Sequence, residues 1–232
     1  MRRRLALAGE PSQASSADHE MGVGKVNLRR GVILDRDGTL IDVVRDEETG
    51  AITTAFHPSH LRLLAGVEEG LRLLHDAGYV LAIATNQPGP AKGHFGRAAV
   101  ERTNDALVTM LADRGIPIAK VATCMHHPDG GAGGDASLVG PCPCRKPKPG
   151  LLLDLMQELA LDPAQSWMLG DTSSDVEAGH AAGLRAGLIF APNRCELCPL
   201  RPPHGMTAST RRPPDLAGAT VRDLALKIAN TP

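Results

Sequence analysis

At 232 residues the chain is long enough for one well-packed α/β domain and short for two. Lysine and arginine number 25 against 26 acidic residues, a formal net charge of −1; that balance argues against a whole-surface nucleic-acid or membrane binder, which would carry a basic excess. Aromatic residues make up only 2%, so the core must be aliphatic and base-stacking platforms are excluded, and no apolar run approaches the length needed to span a bilayer.

"MRRRLALAGEPSQ" has a basic start but only about five apolar residues, short of the roughly 7–15 of a signal peptide. A reducing cytoplasm is therefore the expected location, with Cys124, Cys142, Cys144, Cys195 and Cys198 as thiols or ligands rather than disulfides. Residues 1–30 have no periodicity and read as a disordered or loosely attached arm, with Met21 as an alternative start.

From Gly31 short apolar runs begin. "GVILD" (31–35), "YVLAIAT" (79–85), "IAKVATC" (118–124), "SWMLGD" (166–171) and "AGLIF" (186–190) do not alternate, as expected of parallel strands covered on both faces. Helices are expected between them. "GVEEGLRLLHDAG" (66–78) spaces Val67, Leu71 and Leu74 at i, i+4 and i+7, and 97–115 likewise ends at glycine. Residues 149–160 begin with proline in the first turn, and 173–183 open on serines and acids. The alternation implies a doubly wound, Rossmann-like parallel α/β sheet over 31–192. Residues 193–232 read as a Pro- and Arg-rich tail with a final helix at "DLALKI".

In such sheets ligands bind beyond the carboxyl ends of the strands. Asp35, Thr85, Cys124 and Asp171 all fall there. "DRDGTL" sets Asp35 and Asp37 two apart, and "GDTSSD" sets Asp171 and Asp175 four apart. Alone, each pair could merely cap the next element. Converging, they would repel unless a divalent cation offset them, and hard oxygen donors suit Mg²⁺. Thr85, Asn86 and Lys146 add neutral donors and a positive charge, which completes a set for a phosphoryl group. There is no GxxxxGK[ST] loop.

"DRDGTL", "TNQ", "CRKPKPG" and "GDTSSD", in that order and at strand ends, resemble the four motifs of the haloacid-dehalogenase-like (HAD) phosphohydrolases. The resemblance implies Asp35 as a nucleophile forming an aspartyl-phosphate and Asp37 as general acid and then base. Thr85, Asn86 and Lys146 would hold the phosphoryl group. Mg²⁺ would be held by Asp35, the Asp37 carbonyl and Asp171, with Asp175 supporting from behind.

"CMHHP" (124–128) and "CPC" (142–144) offer Cys124, His126, Cys142 and Cys144, a Cys₃His set suited to a closed, structural Zn²⁺ site. A lone cysteine is usually a small buried hydrophobe, but four ligands bracketing the Gly-rich "DGGAGGDASLVG" favour metal. This zinc loop, with only residues 42–78 between the first two motifs, resembles a HAD subgroup without a large cap domain. Its phosphatases act on heptose 1,7-bisphosphate or histidinol phosphate, and the longer His126–Cys142 loop puts the heptose substrate ahead. Arg145 would reach the distal part of such a phosphorylated sugar. The second motif departs from the family at Pro88, Pro90 and Lys92, and Ile41 stands where the heptose enzymes often have asparagine. "CELC" leaves Cys195 and Cys198 as surface thiols, a redox pair, or half a site completed by His180, His204 or a second subunit. The expected partner is a small phosphorylated sugar, not nucleic acid or membrane, with a monomer favoured; a zinc-stabilised interaction module without turnover is the competing class.

Overall fold

The computed structural model describes residues 27–45, 48, 52–190 and 212–230. The arm expected before residue 27, the 192/193 boundary, Cys195, Cys198 and His204 lie outside them. In chain order the described elements are β1 (Gly31–Leu34), β2 (Val44–Arg45), β3 (Ile52–Thr53), α1 (Val67–Asp76), β4 (Val80–Asn86), α2 (Gly89–Lys92), α3 (Arg97–Ala112) and β5 (Lys120–Cys124). There follow α4 (Gly150–Glu158), β6 (Trp167–Gly170), α5 (Ser173–Ala181), β7 (Arg185–Ile189), β8 (Leu216–Gly218) and α6 (Val221–Ala229).

Six strands form one parallel sheet in the order β5-β4-β1-β6-β7-β8, and β2 pairs antiparallel with β3 apart from it. The pleat sends alternate residues to opposite faces. Val32, Leu34, Leu81, Ile83, Trp167 and Leu169 pack against α1, α3 and α6. Ile33, Ala82, Ala84 and Met168 pack against α4 and α5. Each strand therefore needs apolar residues at every position, which is why the strands read as unbroken runs. The doubly wound expectation holds, and among the described residues between β1 and α1 stand only β2, β3 and a 3₁₀ turn, Pro58–His60, rather than a large cap domain.

The final helix expected at "DLALKI" lies within α6, Val221–Ala229. Residues 212–230 supply β8, which extends the sheet beside β7, and α6, which buries Val221, Leu224, Ala225 and Ile228 in the larger core. At Gly70 an added Cβ would lie 2.7 Å from the Arg222 backbone nitrogen, so the missing side chain is what lets α6 approach α1. Beside β8, the Asp215 carboxylate accepts from the Ala186 N–H at 2.8 Å, meets His180 Nε2 at 2.9 Å and pairs with Arg212 at 2.7 Å. The site that His180 was one candidate to complete with Cys195 and Cys198 lies outside the described residues.

Burial pushes the Asp215 carboxyl upward, but the Ala186 N–H, His180 and Arg212 outweigh it and hold the group below the usual carboxylate range. A depressed carboxylate contributes stability above its unfolded pKa and loses it as pH falls through the folded value. Asp215→Ala should therefore cost about 1–2 kcal/mol near neutrality. In denaturant titrations its deficit relative to the parent should shrink below about pH 4.

Candidate active site

The chain leaves β1 toward β4 on one side, whereas β6 connects to β7 on the other, so a crevice opens beyond the carboxyl ends of these adjacent strands. Asp35 follows β1, and its N–H donates to the Leu169 carbonyl at 2.8 Å, which ties it to β6. Asp171 follows β6 and accepts from the Thr39 hydroxyl at 3.2 Å. Gly38, at φ +86°, makes the turn that follows Asp35 and Asp37, and a Cβ there would collide with the Asp171 carboxylate.

Lys146 enters this crevice from the CRKPKPG loop and is only 4% exposed. Its Nζ lies 2.7 Å from Asp35 Oδ1 and 2.6 Å from Asp175 Oδ1, and it donates to the Ala84 carbonyl at 2.7 Å. Asn86 fixes the backbone beneath: the Lys146 N–H donates to Asn86 Oδ1 at 3.1 Å, and Asn86 Nδ2 donates to the Lys146 carbonyl at 3.0 Å. The other Asp175 oxygen accepts from the Thr172 N–H and hydroxyl at 3.1 and 2.6 Å, in the capping box that starts α5.

One acceptor cluster is thus short of positive charge. Burial raises the Asp35 carboxyl to about 6, with Lys146 opposing and Asp175 and Asp37 adding to the rise. Burial, then Asp35 and Asp175, push Asp171 to about 8. Burial works to lower Lys146, but Asp175 and Asp35 outweigh it and hold the ammonium above the ordinary lysine range. Carboxylate oxygens of Asp35, Asp171 and Asp175 come within 4.8 Å of one another. An all-oxygen set that one buried ammonium leaves undercompensated fits a hard divalent cation such as Mg²⁺.

Asp37 is held differently. Its Oδ1 accepts from the Ala55 N–H at 2.9 Å and from Arg36 at 3.3 Å. Its Oδ2 accepts from Arg36 Nε at 2.9 Å and Gln87 Nε2 at 2.6 Å. Gln87 also donates to the buried Thr85 hydroxyl at 2.8 Å. Of the residues expected to touch phosphate, then, Thr85 keeps its own proton to give, while both ends of the Asn86 amide are spent on the Lys146 backbone. Asn86 therefore acts through the lysine. Arg36, Thr39, Ala55 and Gln87 were not singled out from the sequence; place inside a motif could have marked Arg36, Thr39 and Gln87, whereas Ala55 acts through its backbone and carries no signal.

Cys124, His126, Cys142 and Cys144 come together as the sequence suggested. The Cys124–Cys142 and Cys124–Cys144 sulfur separations are 3.7 and 3.2 Å, and His126 Nδ1 lies 3.8 Å from Cys124 Sγ and 3.5 Å from Cys144 Sγ. Tetrahedral zinc, with Zn–S of about 2.3 Å and Zn–N of about 2.0–2.1 Å, needs ligand atoms roughly 3.6–3.8 Å apart. The donor set fits, and the separations lie near that range except for Cys124–Cys144, which at 3.2 Å is shorter. The Gly-rich loop is ordered by backbone bonds, among them His127 N–H to Leu138, Gly140 N–H to His127 and Asp135 N–H to Pro90 on α2, and by the Arg97–Asp135 ion pair at 2.7 Å. Arg145 donates to the His126 carbonyl at 3.3 Å. Burial, followed by the charges of Lys92 and Arg145, lowers the His127 imidazole below its ordinary value. Lys92 and Arg145 are therefore the cations of this group, with a neutral His127 between their charges, beside the four candidate zinc ligands.

The sequence and fold have counterparts among known proteins. The HAD-hydrolase-like family model matches residues 143–190. The D-glycero-β-D-manno-heptose-1,7-bisphosphate 7-phosphatase of Pasteurella multocida is 34% identical over 158 residues, covering 68% of this chain and 79% of that protein. The protein of the same name from Rhodopseudomonas palustris is 36% identical over 156 residues, covering 67% and 81%. The solved D,D-heptose 1,7-bisphosphate phosphatase of B. bronchiseptica, complexed with magnesium and phosphate, superposes with a TM-score of 0.64 at 26% identity, covering 86% of this chain and 97% of that one. The chain belongs to the HAD-like hydrolases, and within them to the phosphatases of phosphoric monoesters.

Removing the central cation tests the charge arrangement directly. Lys146→Met leaves Asp35 and Asp175 buried without their partner and should cost about 3–5 kcal/mol near neutrality. The unpaired carboxylates then bind protons more readily than in the unfolded chain, so stability should fall as pH rises. Thermal midpoints in metal-free buffer should show a larger deficit at about pH 8 than at about pH 5.

Proposed function

We propose that the chain hydrolyses the 7-phosphate of D-glycero-β-D-manno-heptose 1,7-bisphosphate through a phosphoryl-aspartate on Asp35. The observation that carries this reading is the Asp35 carboxylate 2.7 Å from buried Lys146, with Asp37 two residues along and hydrogen-bonded separately. An Asp35 oxygen attacks phosphorus, and the bond to the sugar oxygen breaks with its electron pair remaining on that oxygen. The Asp37 carboxyl supplies the proton that makes it a hydroxyl. The Asp37 carboxylate then takes a proton from the water that attacks the phosphoryl-aspartate, which releases inorganic phosphate and restores Asp35. Lys146 and the Thr85 hydroxyl bind the transferring group throughout, while Asn86 keeps the lysine in register.

Asp35, the Asp37 carbonyl and Asp171 would hold Mg²⁺, with Asp175 behind them; when bound, the ion offsets the charge that repels an anionic nucleophile from an anionic phosphate. Cys124, His126, Cys142 and Cys144 would hold Zn²⁺ in a closed site that leaves no position for water, so its part is to fix the loop.

The substrate assignment rests on the names of the relatives and on Lys92, His127 and Arg145. Two fixed cations favour a second phosphate over the ammonium and imidazole of histidinol phosphate, the runner-up. Among the described residues no helix is long and apolar enough to cross a membrane, and we place the enzyme in the cytoplasm.

Phosphate release should require Mg²⁺ and should vanish in Asp35→Asn. The heptose bisphosphate should exceed histidinol phosphate in kcat/KM by at least about 100-fold, the worth of roughly 2.7 kcal/mol of differential binding. Equal, feeble rates on both would remove the substrate assignment. Full activity in Asp35→Asn would remove the mechanism. Zinc extraction from the folded enzyme should lower the rate, because the loop that delivers Arg145 and Lys146 then loses its anchor.

A further inference from the structure

The geometry points to Arg36 as the positioning residue of the acid–base step. Its buried guanidinium, bonded at once to Asp37, to Asn104 of α3 and to Ala55 just after β3, fixes the direction in which Asp37 presents its proton. The inference rests on the reading of Asp37 as the acid–base group.

Arg36 is 0% exposed and among the largest fully buried side chains. Burying a guanidinium is costly unless its donors are paired, and four hydrogen bonds pair this one. Here Nε and NH2 reach Asp37 Oδ2 and Oδ1 at 2.9 and 3.3 Å, NH2 reaches the Ala55 carbonyl at 2.6 Å, and NH1 reaches Asn104 Oδ1 at 2.6 Å. The Ala55 peptide closes a ring, because its N–H donates to Asp37 Oδ1 while its carbonyl accepts from Arg36. Asn104 is held in turn, donating from Nδ2 to Thr123 Oγ1 at 3.0 Å. Thr123 immediately precedes the zinc-site cysteine Cys124 on β5.

A side-on fork does what a point charge does not. Two donors in one plane, one to each oxygen, fix the plane of the Asp37 carboxylate as well as its position, and a rotation of that carboxylate breaks both. Salt-bridge partners chosen only for stability would not need to span three separate elements. The arrangement also divides the labour: Lys146 holds the nucleophile from one side, and Arg36 orients the acid–base group from the other, with no shared hydrogen bond between the two sets.

Misdirecting Asp37 should harm only the step that needs its proton. In forming the phosphoryl-aspartate from an alkyl ester, the sugar oxygen must leave protonated by Asp37. From 4-nitrophenyl phosphate, nitrophenolate leaves with the electron pair of the broken P–O bond and needs no proton. Single-turnover measurements of enzyme phosphorylation on both esters, in the full chain with Mg²⁺, separate the cases. Arg36→Lys keeps the charge but not the fork. Asn104→Ala removes only the far anchor and is the variant to read where Arg36→Lys does not fold. Both should slow phosphorylation by the heptose bisphosphate about 10–100-fold, with KM little changed. The nitrophenolate burst should change less than about threefold, and Asp37→Asn should show the same discrimination more strongly. Equal losses on the two esters in Arg36→Lys and Asn104→Ala, with Asp37→Asn still discriminating, overturn the role of Arg36 alone. No discrimination in Asp37→Asn overturns the acid–base reading beneath it.

Discussion

A lysine ammonium buried between two carboxylates governs the layout of this sheet edge. Lys146 can be charged there only because Asp35, Asp175 and the Ala84 carbonyl surround it at hydrogen-bonding distance. Those three acceptors come from three different elements: the end of β1, the first turn of α5 and the interior of β4. The sheet order that places β1 between β4 and β6 is what brings them to one point. The same pairing leaves Asp171 and part of Asp35 without compensation, and burial then drives both carboxyls upward. The site is therefore short of positive charge, which suits it to the hard divalent cation proposed above.

Holding Lys146 in that position falls to its backbone rather than its side chain. Asn86 grips the lysine peptide from both sides. Four residues later the Gly150 N–H donates to the Pro143 carbonyl, closing the loop on itself as α4 begins. Cys144, Arg145 and Lys146 are consecutive, so the cysteine cluster, the cationic patch and the phosphate-side lysine share one short, cross-braced segment. A closed metal site on such a segment can influence the rate without touching a reacting atom, by setting where the next two side chains begin.

Much of this was legible in the sequence where chemistry and periodicity coincide. The five apolar runs became β1, β4, β5, β6 and β7, and the residues at their carboxyl ends became the site. Cys124, His126, Cys142 and Cys144 were readable because ligand spacing is local on each side of the loop. What escaped is long-range or made by backbone. β8 is three residues, Leu-Ala-Gly, with too little apolar content to announce a strand, and it exists because Asp215 and α6 hold it at the sheet edge. Asn86 read as a phosphate donor because nothing local reveals that the lysine 60 residues away takes both ends of its amide. Arg36 sat in plain view between two aspartates, but its partners are Asn104, 68 residues on, and the peptide of Ala55, whose contribution has no side-chain signature.

Asp35, set against Lys146, is on the proposed mechanism the nucleophile that accepts the phosphoryl group. The direct measurement is acid quenching of a single turnover, followed by digestion and mass spectrometry of the peptide that carries residues 31–40. One phosphoryl group, labile to base and located on Asp35, should appear within the first turnover and disappear as free phosphate accumulates. A phosphoryl group on any other residue, or phosphate formed with no covalent species at any time in the wild-type enzyme, would contradict that mechanism.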